Sequence, residues 1–142
     1  MADIFCQMPR FALTSIPFED NLRVDQLVRG GVPATAFHEI LAFLKIDIPT
    51  LAAAVRIPRR TLERRLASAG ALPFDEGDRA VRIGRLLEKA VDVFENQDEA
   101  DWWFTEKLDL LGGASPLECC ATDADARAVE QVLGRIEHGV FG

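Results

Sequence analysis

The chain has 142 residues, of which 49% are hydrophobic and 27% charged, and its net charge is −7 at neutral pH. This length suits one compact domain or two small ones that share a core, and the composition is that of a folded globular protein, which excludes disorder and fibrous repeats. No apolar run approaches the ~20 residues of a membrane helix, and the N-terminus lacks a basic segment followed by an apolar one. We therefore expect a cytoplasmic protein that does not contact a membrane.

Side chains that commonly carry catalysis or bind metals are few and scattered. Two of the three cysteines are adjacent, Cys119 and Cys120, and the two histidines, His38 and His138, lie far from them in sequence. This spacing forms neither a disulfide framework nor a metal pattern, so we expect reduced, mostly buried thiols. No Gly-rich phosphate loop follows a strand, and no Ser/His/Asp set is present. The sequence predicts no enzyme, no catalytic residue, no cofactor and no metal.

Charge is distributed unevenly along the chain. Residues 35–70 hold six Lys and Arg against three Asp and Glu, whereas residues 71–142 hold seven against 16. A basic segment within an acidic chain indicates a local anionic partner, while the acidic remainder opposes any broad wrapping of nucleic acid.

The first half of the chain shows only helical signals. Residues 1–16 show no convincing periodicity, and we assign no element there. A short helix is predicted over 18–29, where it meets two glycines and a proline. Apolar residues at helical spacing over 37–44 predict a second helix that ends before Pro49. No strand pattern appears here or later, so the predicted fold class is all-α.

Residues 50–66 have the spacing of a helix-turn-helix. Thr50 is predicted to cap a short helix over 51–55, followed by a turn in which Ile57 is the apolar plug and by a second helix over 59–68. The stretch resembles the Xre-type helix-turn-helix. Arg56 stands where such motifs usually carry glycine at positive φ, a conformation that costs other residues roughly 1–2 kcal/mol.

Arginines cluster on and just before the second helix of this motif. Recognition helices meet base edges or phosphates near their start, and Arg60 and Arg64 share a face at i, i+4. The alternative is a solvated charged face, and Glu63 would repel phosphates unless it reads a cytosine amino group. The predicted DNA contacts are Arg56, Arg59, Arg60, Arg64 and Arg65.

Two further helices follow. The longest is predicted over 75–94, with acidic residues in its first turn and an apolar stripe along its length. Another is predicted over 100–111, where Trp102, Trp103 and Phe104 spread over about 200° of the circumference and cannot share one face. Trp103 and Phe104 are assigned to the core, and Trp102 is either half exposed or directed toward a partner.

Strong helix signals also mark the last part of the chain. Ser115-Pro116-Leu117-Glu118 has the spacing of a capping box, with proline at the first helical position. Thr122 can cap another helix, whose first turn is acidic and whose apolar stripe runs over 129–136. Gly139 is predicted to end this helix.

This last region resembles the toxin-binding region of the Xre/MbcA/ParS antitoxins. The resemblance rests on Gly112-Gly113, Ser115-Pro116-Leu117, Ala128-Val129-Glu130 and Gly134-Arg135-Ile136-Glu137-His138-Gly139-Val140. The chain departs from the pattern at Glu118-Cys119-Cys120, where apolar residues are expected. Together with the helix-turn-helix, the resemblance spans about residues 24–142.

The resemblance implies an antitoxin that covers the active site of a RES-domain toxin, a toxin class that consumes NAD or uses it to ADP-ribosylate. Phe141 would be the apolar anchor, and Glu137 or the terminal carboxylate would exclude NAD. The alternatives are that Val140 and Phe141 fold back on the chain's own core and that His138 only complements the helix dipole. The expected toxin contacts are Arg135, Glu137, His138, Gly139, Val140, Phe141 and Gly142.

Three regions follow from these assignments: an N-terminal segment (1–34), a helix-turn-helix core with the long helix (35–95) and a toxin-binding region (96–142). The core is expected to form a homodimer within a larger toxin–antitoxin complex and to bind operator DNA as an autorepressor. The alternative is a free-standing transcription regulator whose C-terminal region only dimerises or senses a ligand.

Overall fold

The computed structural model describes residues 21–68 and 70–139, which fold into α-helices joined by short links. No strand occurs within these ranges, so the predicted all-α fold is confirmed. In chain order the helices are α1 (Asn21–Gly30), α2 (Thr35–Leu44), α3 (Ile48–Val55), α4 (Arg59–Ala67), α5 (Phe74–Phe94), α6 (Gln97–Thr105), α7 (Pro116–Cys119) and α8 (Asp123–Glu137), with a 3-10 helix at Asp109–Leu111.

Predictions for the two chain ends lie partly outside the described residues. These include the N-terminal segment up to residue 20 and the expected toxin contacts Val140, Phe141 and Gly142. The first described helix ends at Gly30, as the glycines there predict.

Helix α5 is the longest helix of the described chain, and it holds the others together. Helices α1, α2, α6 and α8 all pack against it. Ile83 and Leu86 of its apolar stripe are fully buried, and one continuous buried core extends from Val28 to Leu133. Burial of apolar surface contributes about 25 cal/mol per Å², so this shared core stabilises the N-terminal and C-terminal helices together.

The link between α1 and α2 lies against the link between α4 and α5. The Leu72 N–H donates to the Val32 carbonyl at 2.7 Å, and the Ala34 N–H donates to the Gly70 carbonyl at 3.0 Å. A Cβ on Gly77 of α5 would lie 3.0 Å from Cγ2 of Val32. Glycine at this position therefore lets the link between α1 and α2 rest directly on α5.

The predicted start of the first motif helix was wrong. Helix α3 begins at Ile48, and its N-cap is Asp47, whose carboxylate accepts the Thr50 N–H at 3.0 Å. Pro49 is tolerated in the first turn because the N–H it lacks would have no partner inside the helix. Hydrogen bonding from Thr50 lowers the pKa of Asp47 below its ordinary value, which keeps the cap ionised.

The helix predicted over 100–111 was also wrong in its bounds. Asn96 caps α6 by accepting the Glu99 N–H at 2.9 Å, so the helix begins at Gln97 and ends at Thr105. The Thr105 hydroxyl donates to backbone carbonyls of the preceding turn, and the chain becomes extended at Glu106. Because the hydroxyl satisfies carbonyls near the helix end, the chain can leave the helix there.

The assignment of the three consecutive aromatic residues is confirmed. Trp103 is 8% exposed and Phe104 is fully buried, whereas Trp102 is 64% exposed. The Trp103 ring lies against Phe94 of α5 with centroids 5.5 Å apart, within the usual range for a favourable aromatic pair. Helix α6 is thus anchored on α5 by one side, and Trp102 projects from the other.

The capping box at α7 forms as predicted. Ser115 Oγ accepts the Glu118 N–H at 3.1 Å, and Glu118 Oε1 accepts the Ser115 N–H at 2.9 Å. The second of these bonds holds the pKa of Glu118 below its usual range. Cys119 and Cys120 are buried free thiols, and burial raises the pKa of both. The departure from the family pattern is therefore accommodated, because the two cysteines act as small apolar residues.

Candidate functional site

Helices α3 and α4 form a helix-turn-helix around a tight, apolar turn. Leu51 and Leu62 are fully buried, and Ile57 is 4% exposed between them in sequence, as the plug prediction requires. Arg56 adopts φ 57 and ψ 43, the left-handed conformation predicted for this position, and its N–H donates to the Ala52 carbonyl. The Ile57 N–H donates to the same carbonyl at 3.1 Å, so the turn is closed by two hydrogen bonds.

Three side-chain contacts with other helices fix the helix-turn-helix in place. His38 of α2 hydrogen-bonds the Leu66 carbonyl at 2.7 Å, near the end of α4. Arg79 of α5 donates to the Val55 carbonyl at 3.2 Å, at the end of α3. Both contacts satisfy carbonyls at the negative end of a helix, where a donor is stabilising. The third contact is made by Arg65.

Arg65 differs from the other arginines of α4 in its surroundings. Its Nε and Nη2 donate to the two carboxylate oxygens of Glu76 at 2.9 and 3.1 Å, a bidentate pair that links α4 to α5. The Arg65 side chain is only 25% exposed, and the hydrogen bond that it donates to Glu76 raises the pKa of its guanidinium. Its predicted DNA contact remains a prediction, and its geometry gives it a role in positioning α4.

The remaining predicted DNA contacts lie at the surface. Arg56, Arg60 and Arg64 are exposed, and no described carboxylate forms an ion pair with them. Arg59 is 3.5 Å from Glu63, but both side chains are largely exposed. Such a pair is worth little in water, so Arg59 can exchange its carboxylate for a phosphate.

The start of α4 adds to this positive surface. Pro58 occupies the N-cap position, and no side chain caps the first turn of the helix. The free N–H groups of a helix start carry partial positive charge and favour anions. Four exposed arginines and an uncapped helix start therefore present one cationic surface, which we call the α4 surface: Arg56, Arg59, Arg60 and Arg64.

The end of α8 forms a second candidate surface. Thr122 caps the helix by accepting the Asp125 N–H at 3.2 Å, and Ile136 packs its last turn against the core. The His138 N–H still donates to the Gly134 carbonyl, after which Gly139 turns left-handed at φ 69. The predicted helix end at Gly139 is therefore confirmed.

Polar side chains at this helix end face solvent. Arg135, Glu137 and His138 are exposed, and the His138 ring lies a loose 3.9 Å from the Glu137 carboxylate. Around Gly139, no described atom lies within 4 Å of where a Cβ would stand. Three exposed polar groups at this helix end are therefore available to contact another molecule.

Sequence reasoning missed the residues that hold α4 in place. Arg79 and Val55 are 24 positions apart, and His38 and Leu66 are 28 apart, so no local spacing predicts either contact. Glu76 was assigned to the helix dipole of α5, and its pairing with Arg65 depends on the tertiary fold.

No group of three or more metal-ligating side chains forms in the described ranges. None of the helices described there is long and apolar enough to cross a membrane.

Two family models match consecutive parts of the chain. Residues 23–85, which contain the helix-turn-helix, match the antitoxin Xre-like helix-turn-helix domain. Residues 89–139, which contain α6 to α8, match the antitoxin Xre/MbcA/ParS C-terminal toxin-binding domain.

Individual relatives are similar over most of their length. An "Antitoxin Xre" of Yersinia enterocolitica is 30% identical over 115 residues, covering 80% of this chain and 78% of the relative. An "Antitoxin Xre" of Photorhabdus laumondii is 29% identical over 136 residues, covering 93% and 90%. A "Prs ADP-ribosylating antitoxin" of Sphingobium sp. is 23% identical over 124 residues, covering 81% and 78%.

Proposed function

Because this chain belongs to the Xre/MbcA/ParS family of antitoxins, we propose that it neutralises a RES-domain toxin with the end of α8 and represses its own operator through α4. The observation that carries the proposal is the order of the two matched domains on one continuous core. In this role the chain binds the toxin and blocks its active site, and the toxin is the partner that carries out the reaction.

The chemistry of the exposed helix end suits a toxin that uses NAD. One relative has ADP-ribosylation in its name, a reaction that consumes NAD. A cleft that binds the phosphates of NAD is electropositive, and the exposed carboxylate of Glu137 can occupy it. Gly139 lets the chain turn away from the axis of α8, so that Phe141 enters the cleft as an apolar anchor.

Deleting residues 139–142 tests this arrangement. The deletion should leave the melting temperature and DNA binding nearly intact, because the residues up to Ile136 supply the packing of α8. It should abolish rescue of cells from the cognate toxin, and the truncated protein should no longer block NAD loss in a purified mixture. Phe141→Ala alone should weaken toxin binding by about 30-fold, the usual effect of losing an anchor residue.

Two outcomes would redirect the proposal. A truncated protein that still protects cells and still blocks NAD loss would exclude the chain end as the plug and leave the exposed face at Arg135 as the next candidate. A full-length chain that represses its operator but does not bind the toxin would identify a free-standing regulator.

Operator binding is proposed for the α4 surface. Its arginines are exposed, while the body of the helix is fixed by α2 and α5. A preorganised helix loses little conformational freedom when it enters the major groove, which favours affinity. The acidic remainder of the chain repels DNA elsewhere and so confines binding to this surface.

The double variant Arg60→Ala/Arg64→Ala tests operator binding. Affinity should fall, and the slope of its salt dependence should decrease by about one phosphate for each arginine that contacts the backbone. Arg29→Ala/Arg127→Ala is a matched control, because these two arginines are also exposed but lie on α1 and α8. Gel shifts that stay unchanged across a salt series would contradict the proposal.

A further inference from the structure

The outer side of α6 combines an exposed tryptophan with exposed carboxylates. Asp98, Glu99 and Trp102 lie at i, i+1 and i+4, so both carboxylates flank the indole on one side of the helix, and we call these residues the α6 face. Between Lys89 and Lys107 the sequence has six Asp and Glu and no Lys or Arg. The face therefore lies in the most acidic stretch of the chain.

Packing within the chain does not explain the exposure of Trp102. Its neighbours Trp103 and Phe104 supply the contacts that anchor α6, and Trp102 remains 64% exposed. Tryptophan has a large apolar surface and is enriched at the energetic centres of protein interfaces. Asp98 and Glu99 favour the start of α6 through the helix dipole, which accounts for the two carboxylates but not for the indole beside them.

The negative charge of this face is poorly neutralised by the chain itself. Lys45 approaches Asp98 only to 3.8 Å, and the two side chains are 74% and 87% exposed, so the pair contributes little. Behind the face, Asp101 is buried, and neither of its carboxylate oxygens has a hydrogen-bond partner among the described residues. When it is ionised, Asp101 adds negative potential to the face, and the exposed Lys45 is the nearby cation that opposes it.

We propose that the α6 face is a second toxin contact, separate from the chain end, and that it receives an arginine of the toxin. A guanidinium can stack on the Trp102 indole while its N–H groups pair with Asp98 or Glu99, a combination that a lysine matches less well. The inference rests on the proposed function and adds an anchor that sets affinity without reaching the toxin's active site.

The position of the face favours the toxin over other partners. All three residues lie within 89–139, the part that matches the toxin-binding domain. DNA would be repelled by the carboxylates. The largest cluster of exposed arginines on a second copy is its α4 surface, which the operator occupies under the proposed function.

Calorimetry with the purified full-length chain and its cognate toxin tests the face. Trp102→Ala should weaken binding about tenfold. The double variant Asp98→Asn/Glu99→Gln should bind the toxin more weakly than the unmodified chain at low salt. This difference in affinity should shrink as the salt concentration rises. Phe74→Ala is the matched control, since Phe74 is an aromatic residue 58% exposed and lies outside the toxin-binding domain. The affinity of Phe74→Ala for the toxin should stay within about twofold of the affinity of the unmodified chain.

A second readout separates affinity from blocking. At saturating concentration Trp102→Ala should still prevent NAD loss, because its chain end is intact. The protein that lacks residues 139–142 should still bind the toxin but should no longer prevent NAD loss. If Trp102→Ala binds the toxin as tightly as the unmodified chain, the inference is overturned and the proposed function still stands. The same conclusion follows if Trp102→Ala loses self-association but keeps its affinity for the toxin. If the unmodified chain itself does not bind the toxin, both the inference and the proposed function are wrong.

Discussion

Arg64 and Arg65 are adjacent in sequence but differ in their surroundings. Successive residues of a helix point about 100° apart, so Arg64 faces solvent while Arg65 meets Glu76 of α5. The sequence shows a cluster of arginines and their helical spacing, but it does not show which side of α4 faces α5. The predicted set of five therefore contains four surface arginines and one that positions the helix.

Asp101 makes the stability of the fold depend on pH. Burial raises the pKa of its carboxyl from 3.8 to about 6. Lys45, which follows the last residue of α2, and Gln97 of α6 oppose the shift, and Asp98 of α6 adds to it. The folded chain therefore holds a proton that the unfolded chain releases between these two values. The contribution of the protonated carboxyl is complete below pH 3.8 and is lost as the pH rises through about 6.

Asp101→Asn should remove this dependence. Between pH 4 and 7.5, ionisation of Asp101 should cost the unmodified chain up to about 3 kcal/mol of unfolding free energy, and the variant should escape that loss. Urea unfolding at a series of pH values measures the difference. Glu99→Gln, an exposed change on the same helix at a residue that does not contribute to the shift, should leave the slope unaltered. Parallel curves for Asp101→Asn and the unmodified chain would contradict the assignment.

The sequence predicts where helices occur better than it predicts the residues at which they begin and end. The apolar stripes of α2, α5 and α8 and the caps at Ser115 and Thr122 were read correctly because each signal lies within a few residues of the element it forms. The start of α3 was misplaced because Thr50 was taken as the cap, whereas a carboxylate three residues earlier accepts its N–H. Both residue types cap helices, and Pro49 between them obscured the choice.

Some features of the candidate sites could likewise be predicted from the sequence, and others could not. The left-handed turn at Arg56, the plug at Ile57 and the exposed tryptophan of α6 follow from spacing that the sequence displays. The anchoring of α4 by His38 and Arg79 does not, because each contact joins helices that are distant in sequence. Local chemistry was therefore predictable, and the contacts that hold it in position were not.

For the whole molecule, charge separates the two proposed activities. The helix-turn-helix carries the exposed arginines, and the chain after residue 70 holds 16 acidic against seven basic residues. The two regions share one core, with α5 packed against both α2 and α8 and with α7 packed against α3. A single folded body can therefore present a cationic surface to DNA and an acidic one to a protein partner.

Operator binding by such a body favours two copies. One α4 surface offers four arginines, and each neutralised phosphate contributes about 0.9 to the slope of log affinity against log salt. A symmetric pair would place two α4 helices in successive major grooves, about one helical turn apart, and would double that term. We therefore expect the chain to form a homodimer with twofold symmetry.

Sedimentation measures this directly. The isolated chain should sediment at twice its mass of 15.7 kDa at micromolar concentration, and operator DNA carrying two half-sites should bind one dimer. Spacing the half-sites by an extra half turn of DNA should weaken binding, because the second α4 would then face the wrong side of the duplex, while a single-copy binder would be indifferent. The Arg60→Ala/Arg64→Ala protein should remain a dimer, since its changes lie on the DNA-facing surface. A chain that stays monomeric both alone and on DNA, with equal affinity for both spacings, would show that each copy binds independently.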